Sequence, residues 1–341
     1  MAKKFKTGVL IVNLGTPDSP NTPDVRKYLR EFLMDGRVID IPFISRWLLV
    51  NLIIAPFRSP KSAKIYKELW TKDGSPLKIY GEKNESQLQE LLGDDYIVKL
   101  GMRYQSPSIE SSLLALRKAA VKKVIVIPLF PQYASASSGS VYEEVTRVLN
   151  TWQSIPELRI INNFYHKDKF IEGFIENAKV LQSKRKYDHV VFSYHGVPER
   201  QVLKGDDDKR HCKLGTCCSA ITPHNQFCYR AQCFETTRLL VKKMEIKEGE
   251  YTVSFQSRLG RSEWIKPYTD KVILELAEQG VKSILAFSPA FIADCLETTI
   301  EVGGEFKEIF KENGGDHLDL VPSLNDMPIW VELLKELTLD N

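Results

Sequence analysis

One histidine in the chain stands where a general base could lie. His195 directly follows the apolar run Val190-Val-Phe-Ser193 and precedes Gly196-Val-Pro198, so a strand over that run would place the imidazole at its carboxyl end. Histidine is the side chain best suited to accept a proton near neutral pH. For an isolated histidine, a structural role with the ring bonded to a loop carbonyl is the commoner case, so other residues must decide.

A ladder of carboxylates occurs later in the chain, at Glu297, Glu301 and Glu305. On a helix, an interval of four residues stacks side chains along one face, where like charges repel. A solvated acidic face would explain the pattern. A proton relay or a path for a hard divalent cation would explain it equally well, because both need oxygen atoms at close intervals. Gly303-Gly304, between Glu301 and Glu305, interrupts a regular helix and is compatible with a widened turn.

A loop after another apolar run carries side chains suited to a flat, acidic ligand. Residues 255–267 include Gln256, Arg258, Arg261 and Trp264. Guanidinium groups bind carboxylates and an indole packs on a flat ring. Taken alone, a tryptophan belongs to the core more often than to a binding site.

Five of the six cysteines lie close together, at Cys212, Cys217, Cys218, Cys228 and Cys233. In a chain without secretory features such a group indicates an iron-sulfur cluster or zinc rather than disulfides. The spacing lacks the paired C-x2-C of many zinc sites, which favours a [2Fe-2S] cluster with zinc as the alternative. Four of the five are expected to be ligands. Because the adjacent Cys217 and Cys218 are hard to aim at one metal, the set stays open.

Eight short β-branched runs alternate with helical stretches and predict the frame for these residues. The runs cover residues 8–14, 96–100, 123–128, 159–163, 189–193, 251–255, 283–287 and 318–321. Continuous apolar strands that alternate with helices indicate parallel sheets covered on both faces. The sequence therefore predicts an α/β fold of two similar doubly wound, Rossmann-like domains. We assign them to residues 1–165 and 166–325, with a cysteine-rich insertion over 211–233. A C-terminal helix over 326–341 is a candidate to pack on the first domain. In such folds ligands bind beyond the carboxyl ends of the strands, and a cleft between the domains is the expected site.

The composition excludes several classes of protein. The 341 residues are 43% hydrophobic and 27% charged, which suits two domains with substantial cores. The net charge of +3 mixes both signs without a polybasic run, so no nucleic-acid partner is expected. No signal or transit peptide is visible, which predicts a cytoplasmic protein. The apolar segment 39–57 is interrupted by prolines and charges, so it is a candidate for peripheral membrane contact rather than a span. The sequence does not indicate the oligomeric state.

In this order and across nearly the whole chain, these features resemble the ferrochelatase family. The matching stretches are residues 9–17, 101–104, 131–140, 193–198, 256–264 and 294–305. The resemblance implies a lyase that inserts Fe²⁺ into protoporphyrin IX to form haem and releases two pyrrole protons. His195 and Glu297 match the catalytic residues, and together with Glu301 and Glu305 they match a metal or proton path. The implied porphyrin contacts are Asn13, Leu14, Arg103, Tyr133, Ser137, Gln256 and Trp264.

The chain departs from the family pattern in three places. Cys295 replaces a second histidine that animal members carry, and Leu14 replaces the tyrosine of coproporphyrin-using members, which favours protoporphyrin IX. The cysteine segment is similar to an insertion in bacterial members with a [2Fe-2S] cluster, although Cys233 has a counterpart in cluster-free relatives. Alternatives are coproporphyrin III as substrate, a cobalt or nickel chelatase for another tetrapyrrole, a porphyrin or haem carrier without turnover, and an iron-sulfur redox module.

Overall fold

The computed structural model describes residues 5–258, 260 and 262–340. Arg261, whose guanidinium is a candidate to bind carboxylates of a ligand, lies outside the described residues. The strands are β1 (Thr7–Gly15), β2 (Tyr96–Tyr104), β3 (Lys123–Pro128), β4 (Glu157–Ile160), β5 (His189–His195), β6 (Tyr251–Gln256), β7 (Ser283–Phe287) and β8 (His317–Leu320). The strands form two four-stranded parallel sheets, ordered β2-β1-β3-β4 and β6-β5-β7-β8. The identical order confirms the prediction of an α/β fold with one unit used twice.

The helices alternate with the strands along the chain. They are α1 (Thr22–Met34), α2 (Phe43–Leu48), α3 (Ala55–Leu69), α4 (Pro76–Leu92), α5 (Ile109–Lys118), α6 (Ser140–Leu149), α7 (Asp168–Gln182), α8 (Glu199–Lys204), α9 (Tyr229–Met244), α10 (Thr269–Glu278), α11 (Lys307–Glu312) and α12 (Pro328–Leu339). Wider π-helical segments cover Leu49–Ile54, Ser135–Gly139 and Leu296–Phe306, and short 3₁₀ turns cover Gly93–Asp95 and Thr216–Cys218. Of the described helices, none is both long and apolar enough to cross a membrane.

The first compact unit comprises the described residues within Met1–Phe130, Ser135–Asn163 and Pro328–Asn341. Its central strand β1 is buried almost throughout, as expected of a parallel strand with helices on both faces. One face packs on α5 and α6 through fully buried aliphatic side chains, among them Leu10, Val12, Leu113, Val126 and Val141. Burying each such side chain contributes about 1.5–3 kcal/mol. The C-terminal helix α12 packs on α4 in this unit.

The second unit comprises Pro131–Ala134 and Phe164–Met327. Its central strand β5 is likewise buried up to His195, and one face of the sheet packs on α10, α11 and the π-helix Leu296–Phe306. In both units a π-helical segment follows the third strand in chain order, β3 in the first unit and β7 in the second. The second strand of each unit, β2 or β6, is followed by a loop with a cis-proline. The internal repeat thus extends from the sheets to the loops at their carboxyl ends.

Candidate active site

His195 is the last residue of β5, at the carboxyl end of the central strand of the second unit. Its ring atom Nδ1 lies 2.6 Å from the carbonyl oxygen of Gly196. Because a carbonyl oxygen only accepts hydrogen bonds, this contact assigns the proton to Nδ1 and leaves Nε2 as the basic nitrogen of the neutral ring. The contact with a loop carbonyl is the one expected of a structural histidine, yet here it also prepares the other nitrogen to accept a proton.

Aromatic side chains flank the His195 ring. The Trp264 ring lies 6.4 Å away between centroids, and the Phe291 ring lies 6.3 Å away in an edge-on arrangement. The loop that carries Trp264 is tied to the strand end, since Pro198 and Trp264 form a β-bridge and the Ile265 N–H donates to the Val197 carbonyl. The end of β5 and the loop that carries Trp264 therefore lie side by side.

Glu301 is held beside this strand end by three donors. Its carboxylate accepts hydrogen bonds from the Ser257 N–H at 3.0 Å, from the Ser257 hydroxyl at 2.5 Å and from Gln256 Nε2 at 3.0 Å. Ser257 reaches this position with a φ of 65°, a left-handed conformation that costs a non-glycine residue energy and is found more often at functional sites. The loop geometry is thus built around the carboxylate.

The environment of Glu301 raises the pKa of its carboxyl group. Burial is the main cause, and hydrogen bonds from Ser257 and Gln256 and the proximity of His195 oppose it, while Glu297 adds to it. A carboxyl with a raised pKa can bind and release a proton closer to neutral pH than an ordinary glutamate. His195, Glu301 and Glu297 therefore form one electrostatically coupled group.

The ladder glutamates lie on a π-helix rather than on the α-helix that their interval first suggests. Cys295 and Thr298 form a reciprocal cap at its start, with the Cys295 N–H donating to the Thr298 hydroxyl at 2.9 Å. Glu297 and Glu301 are partly buried, whereas Glu305 is exposed at the far end. The ladder thus runs from the His195 environment to solvent. π-helical segments are often found at functional sites.

Gln256, a predicted porphyrin contact, is 2% exposed and its amide is fully engaged inside the protein. Its Oε1 accepts from the Ser193 hydroxyl at 2.6 Å, and its Nε2 donates to the Glu297 carbonyl at 2.7 Å as well as to Glu301. The side chain links β5 and β6 to the ladder. Its visible role is to hold the glutamates.

Other predicted porphyrin contacts lie in the first unit, at the carboxyl ends of β1, β2 and β3. Asn13 is almost fully buried, and its Oδ1 accepts from the Leu14 N–H at 2.8 Å. Leu14 and Ser137 are partly exposed. In the strand register Asn13 and Gly15 pair with Met102 and Tyr104 of β2, so Leu14 lies level with Arg103 between them. In the second unit His195 pairs with Gln256. The repeat therefore places these residues at the strand ends equivalent to the His195 site.

Arg103 is paired with Asp35, a residue that sequence reasoning missed. The Arg103 guanidinium donates to Asp35 at 2.7 Å and to the Ser140 hydroxyl at 2.6 Å, and the Asp35 side chain is only 5% exposed. Burial opposes the charge of Asp35, but hydrogen bonds and the positive charge of Arg103 lower its pKa overall. The pair lies 68 positions apart in the sequence, so no local pattern could have revealed it.

Comparison with known proteins decides the family. The ferrochelatase family profile matches residues 6–341. A ferrochelatase from Coxiella burnetii (strain Dugway 5J108-111) is 44% identical over 332 residues, which cover 97% of this chain and 93% of that protein. A ferrochelatase from Legionella pneumophila (strain Lens) is 44% identical over 334 residues and 98% of each chain. The chain belongs to the ferrochelatase family. The prediction of a lyase that inserts ferrous iron into a porphyrin is thereby confirmed.

The fold has relatives outside the ferrochelatases. The structure of SirB from Bacillus subtilis with Fe³⁺ matches with a TM-score of 0.54 over 98% of this chain and 96% of that chain, at 12% identity. At such low identity the likeness concerns the fold alone. The fold prediction of two similar α/β units is supported by it.

The cysteine segment of this ferrochelatase-family chain brings four thiols close together. The sulfur atoms of Cys217 and Cys218 lie 3.9 Å apart. Cys217 is near enough to Cys212, and Cys228 near enough to Cys218, to contribute to the raised pKa of each of these two thiols. Cys233 lies one turn into α9, fully buried, where its thiol contacts Tyr229 instead. Within the described part of the chain, no three His, Cys, Asp or Glu residues are grouped as ligands of a single metal ion.

Tyr133, the remaining predicted porphyrin contact, is held by α9. Its backbone N–H donates to Gln232 at 2.6 Å, and its ring packs edge-on against Phe227 at 6.2 Å. Phe227 directly precedes Cys228. Phe227 of the cysteine segment and Gln232 of α9 therefore both contact Tyr133.

Proposed function

We propose that this member of the ferrochelatase family inserts Fe²⁺ into protoporphyrin IX, with His195 as the base that takes the pyrrole protons. The observation that supports it most is the hydrogen bond from His195 Nδ1 to the Gly196 carbonyl, which makes Nε2 the proton acceptor at a strand end beside a carboxylate. Iron is a substrate in this reaction. The free porphyrin carries two inner N–H protons, and both must leave as the dication enters.

The glutamates would carry the protons away from His195. Glu301 is within electrostatic reach of His195 and Glu297 is next to it on the π-helix, and Glu305 continues the series to the surface. Burial raises the pKa of the Glu301 carboxyl group. Transfer of a proton from an imidazolium to this carboxylate therefore costs less free energy than transfer to a group of much lower pKa. The same oxygen atoms would suit Fe²⁺ on its way to the porphyrin.

The choice of porphyrin is assigned from Leu14 and its neighbours. Protoporphyrin IX has apolar vinyl groups where coproporphyrin III has charged propionates, and an aliphatic side chain favours the former. In the first unit the proposed porphyrin contacts are Leu14, Asn13, Arg103 and Ser137, with Arg103 fixed by Asp35. In the second unit they are Tyr133 and Trp264, and Gln256 acts indirectly by holding Glu301.

A direct assay tests the substrate. Purified protein is incubated without oxygen with Fe²⁺ and either protoporphyrin IX or coproporphyrin III, and the visible spectrum follows metalloporphyrin formation. We expect metallation of both to be detectable and kcat/KM to be about tenfold or more higher for protoporphyrin IX, the ratio that about 1.4 kcal/mol of discrimination gives. Porphyrin binding without metallation of either substrate would instead favour a carrier, and a preference for coproporphyrin III would reject the role of Leu14.

The cysteine segment would hold a [2Fe-2S] cluster through Cys212, Cys217, Cys218 and Cys228. The fit rests on the donor set, since the sulfur atoms of Cys217 and Cys218 lie 3.9 Å apart and Cys212 and Cys228 are each near enough to one of them for the thiols to influence each other's pKa. Four cysteines, two on each iron, are what such a cluster requires. A bound cluster would cross-link the loop between α8 and α9. Zinc is the alternative occupant of the same thiols.

We also propose that the surface of α2, the following π-helix and the start of α3 contacts a lipid membrane. It exposes Phe43, Ile44, Trp47, Leu48, Leu52, Ile53 and Phe57, each at least 45% accessible. The exposed basic residues Arg58, Lys61 and Lys64 follow directly on α3. Apolar and basic side chains in succession are typical of helices that lie in the interface of an anionic membrane.

Sedimentation with lipid vesicles tests this contact. We expect the protein to pellet with vesicles that contain phosphatidylserine, and a variant with Ile44→Ser, Ile53→Ser and Phe57→Ser to stay in the supernatant. Ile155→Ser, which alters an apolar residue that is 54% exposed elsewhere on the first unit, serves as the control and should pellet like the wild type. Equal sedimentation of the wild type and the triple variant would contradict the proposal.

A further inference from the structure

The first turn of α9 makes a contact with His195 that the proton-transfer scheme does not use. The hydroxyl of Tyr229, the first residue of α9, donates to the main-chain carbonyl of His195 at 2.8 Å. Tyr229 is buried. Because a carbonyl oxygen can only accept a hydrogen bond, the Tyr229 hydroxyl is the donor.

The contact completes the fixation of one peptide group. The peptide bond between His195 and Gly196 has its carbonyl end bound by Tyr229, and its N–H end donates to the Gln256 carbonyl at 2.8 Å. The next carbonyl, that of Gly196, accepts the hydrogen bond from His195 Nδ1. The tautomer and direction of the imidazole therefore depend on a loop whose first peptide group is held at both ends.

We propose that Tyr229 is a positioning residue for His195, which it orients through the main chain rather than through the ring. The proposal rests on the assignment of His195 as the base. Tyr229 follows Cys228, and the next residue, Arg230, donates to the Gly215 carbonyl in the cysteine segment. The same turn therefore ties the base to the cysteine segment.

A neighbouring tyrosine provides a matched control. Tyr194 lies on β5 directly before His195, is fully buried, and its hydroxyl pairs with the Thr237 hydroxyl of α9 at 2.8 Å. Tyr194→Phe and Tyr229→Phe each remove one buried hydroxyl between the same two elements. Only the second removes a donor from the main chain of His195. A purely structural role of Tyr229 would make the two variants alike.

Nuclear magnetic resonance of protein with ¹⁵N-labelled histidine is the deciding measurement, because it needs neither substrate nor turnover. The His195 signal is identified by its loss in His195→Ala. In the wild type and in Tyr194→Phe we expect a single neutral form protonated at Nδ1. In Tyr229→Phe we expect a mixture of the two tautomers. Protonation at Nε2 in the wild type, or an unchanged pattern in Tyr229→Phe, would overturn the proposal.

Kinetics provide the second arm. Tyr229→Phe should lower kcat for metal insertion about tenfold, the effect of a misplaced reacting group, with little change in KM for the porphyrin, whereas Tyr194→Phe should alter neither by as much. Equal losses in the two variants would reject the positioning role. If the wild type inserted no metal, the proposed function would fail, and the tautomer measurement would still decide whether Tyr229 fixes His195.

Discussion

Replacing His195 by alanine is expected to reduce the rate of iron insertion by about 10²- to 10⁴-fold, the contribution of a positioned general base, while porphyrin binding persists. The reason is that the ring supplies a proton acceptor near Glu301, whereas the hydrogen bond that the ring makes to Gly196 is local, to the next residue in the chain. Its removal should cost little stability. Single-turnover absorbance changes measure insertion, and quenching of tryptophan fluorescence by the porphyrin measures binding.

The matched control is His189→Gln. His189 lies on the same strand, six residues earlier, and its Nε2 is hydrogen-bonded to the Thr252 hydroxyl at 2.9 Å. It is thus an imidazole of β5 with a structural partner and no contact with the ladder, and its replacement should leave insertion near the wild-type rate. If His195→Ala inserted iron as fast as His189→Gln, the base would have to be sought elsewhere. If His195→Ala also failed to bind porphyrin, the assignment to proton transfer would be wrong.

The sheets could be predicted from the sequence because parallel strands with two covered faces are continuous apolar runs. The run Lys123–Pro128 and the run Ser283–Phe287 coincide with β3 and β7. The other strands differ by a few residues at their ends, most of all β2, which continues to Tyr104 through the polar Arg103. Strand ends carry the site, and there polar side chains replace the apolar pattern. Hydropathy is therefore least informative where the chemistry lies.

The site could be predicted as a set of residue types but not as a set of contacts. The interval of four residues between the glutamates fits one face of an α-helix. In the structure they lie on a π-helix, whose backbone hydrogen bonds follow a different pattern. The partners of the site residues come from distant segments, as when Asp35 binds Arg103 or Tyr229 binds His195 across 34 positions. Such pairs depend on the packing of complete elements, which no local sequence pattern encodes.

Substituting the five clustered cysteines by alanine one at a time is expected to divide them into two classes, cluster ligands and a packing residue. Cys212→Ala, Cys217→Ala, Cys218→Ala and Cys228→Ala should each abolish the visible absorption of a [2Fe-2S] cluster and reduce iron from about two atoms per chain to near zero, because such a cluster needs four thiolates. Cys233→Ala should keep both. Its thiol is fully buried against Tyr229, so it contributes to packing instead.

Ligand loss and general destabilisation are separated by Cys295→Ala. Cys295 is also fully buried, at the cap of the π-helix and away from the cysteine segment along the chain, so its substitution tests what loss of any buried thiol does. We expect Cys233→Ala and Cys295→Ala to lower the midpoint of thermal unfolding to similar extents with the chromophore intact. Each ligand variant should lose the chromophore, because the cluster in the loop between α8 and α9 needs all four thiolates.

Metal analysis of the anaerobically purified protein decides between the two occupants of the thiols. Iron and acid-labile sulfide in equal amounts would support the cluster, whereas zinc without colour would support a tetrahedral site on the same four cysteines. Cys217→Ala is the most informative variant. Because Cys217 and Cys218 are adjacent in the chain, one of these two is the first candidate for a thiol that does not bind the metal. If Cys217→Ala kept the chromophore and Cys233→Ala lost it, the proposed set of four ligands would be wrong. Cys233 would then be a ligand in place of Cys217, and α9 would have to turn to bring its thiol to the loop.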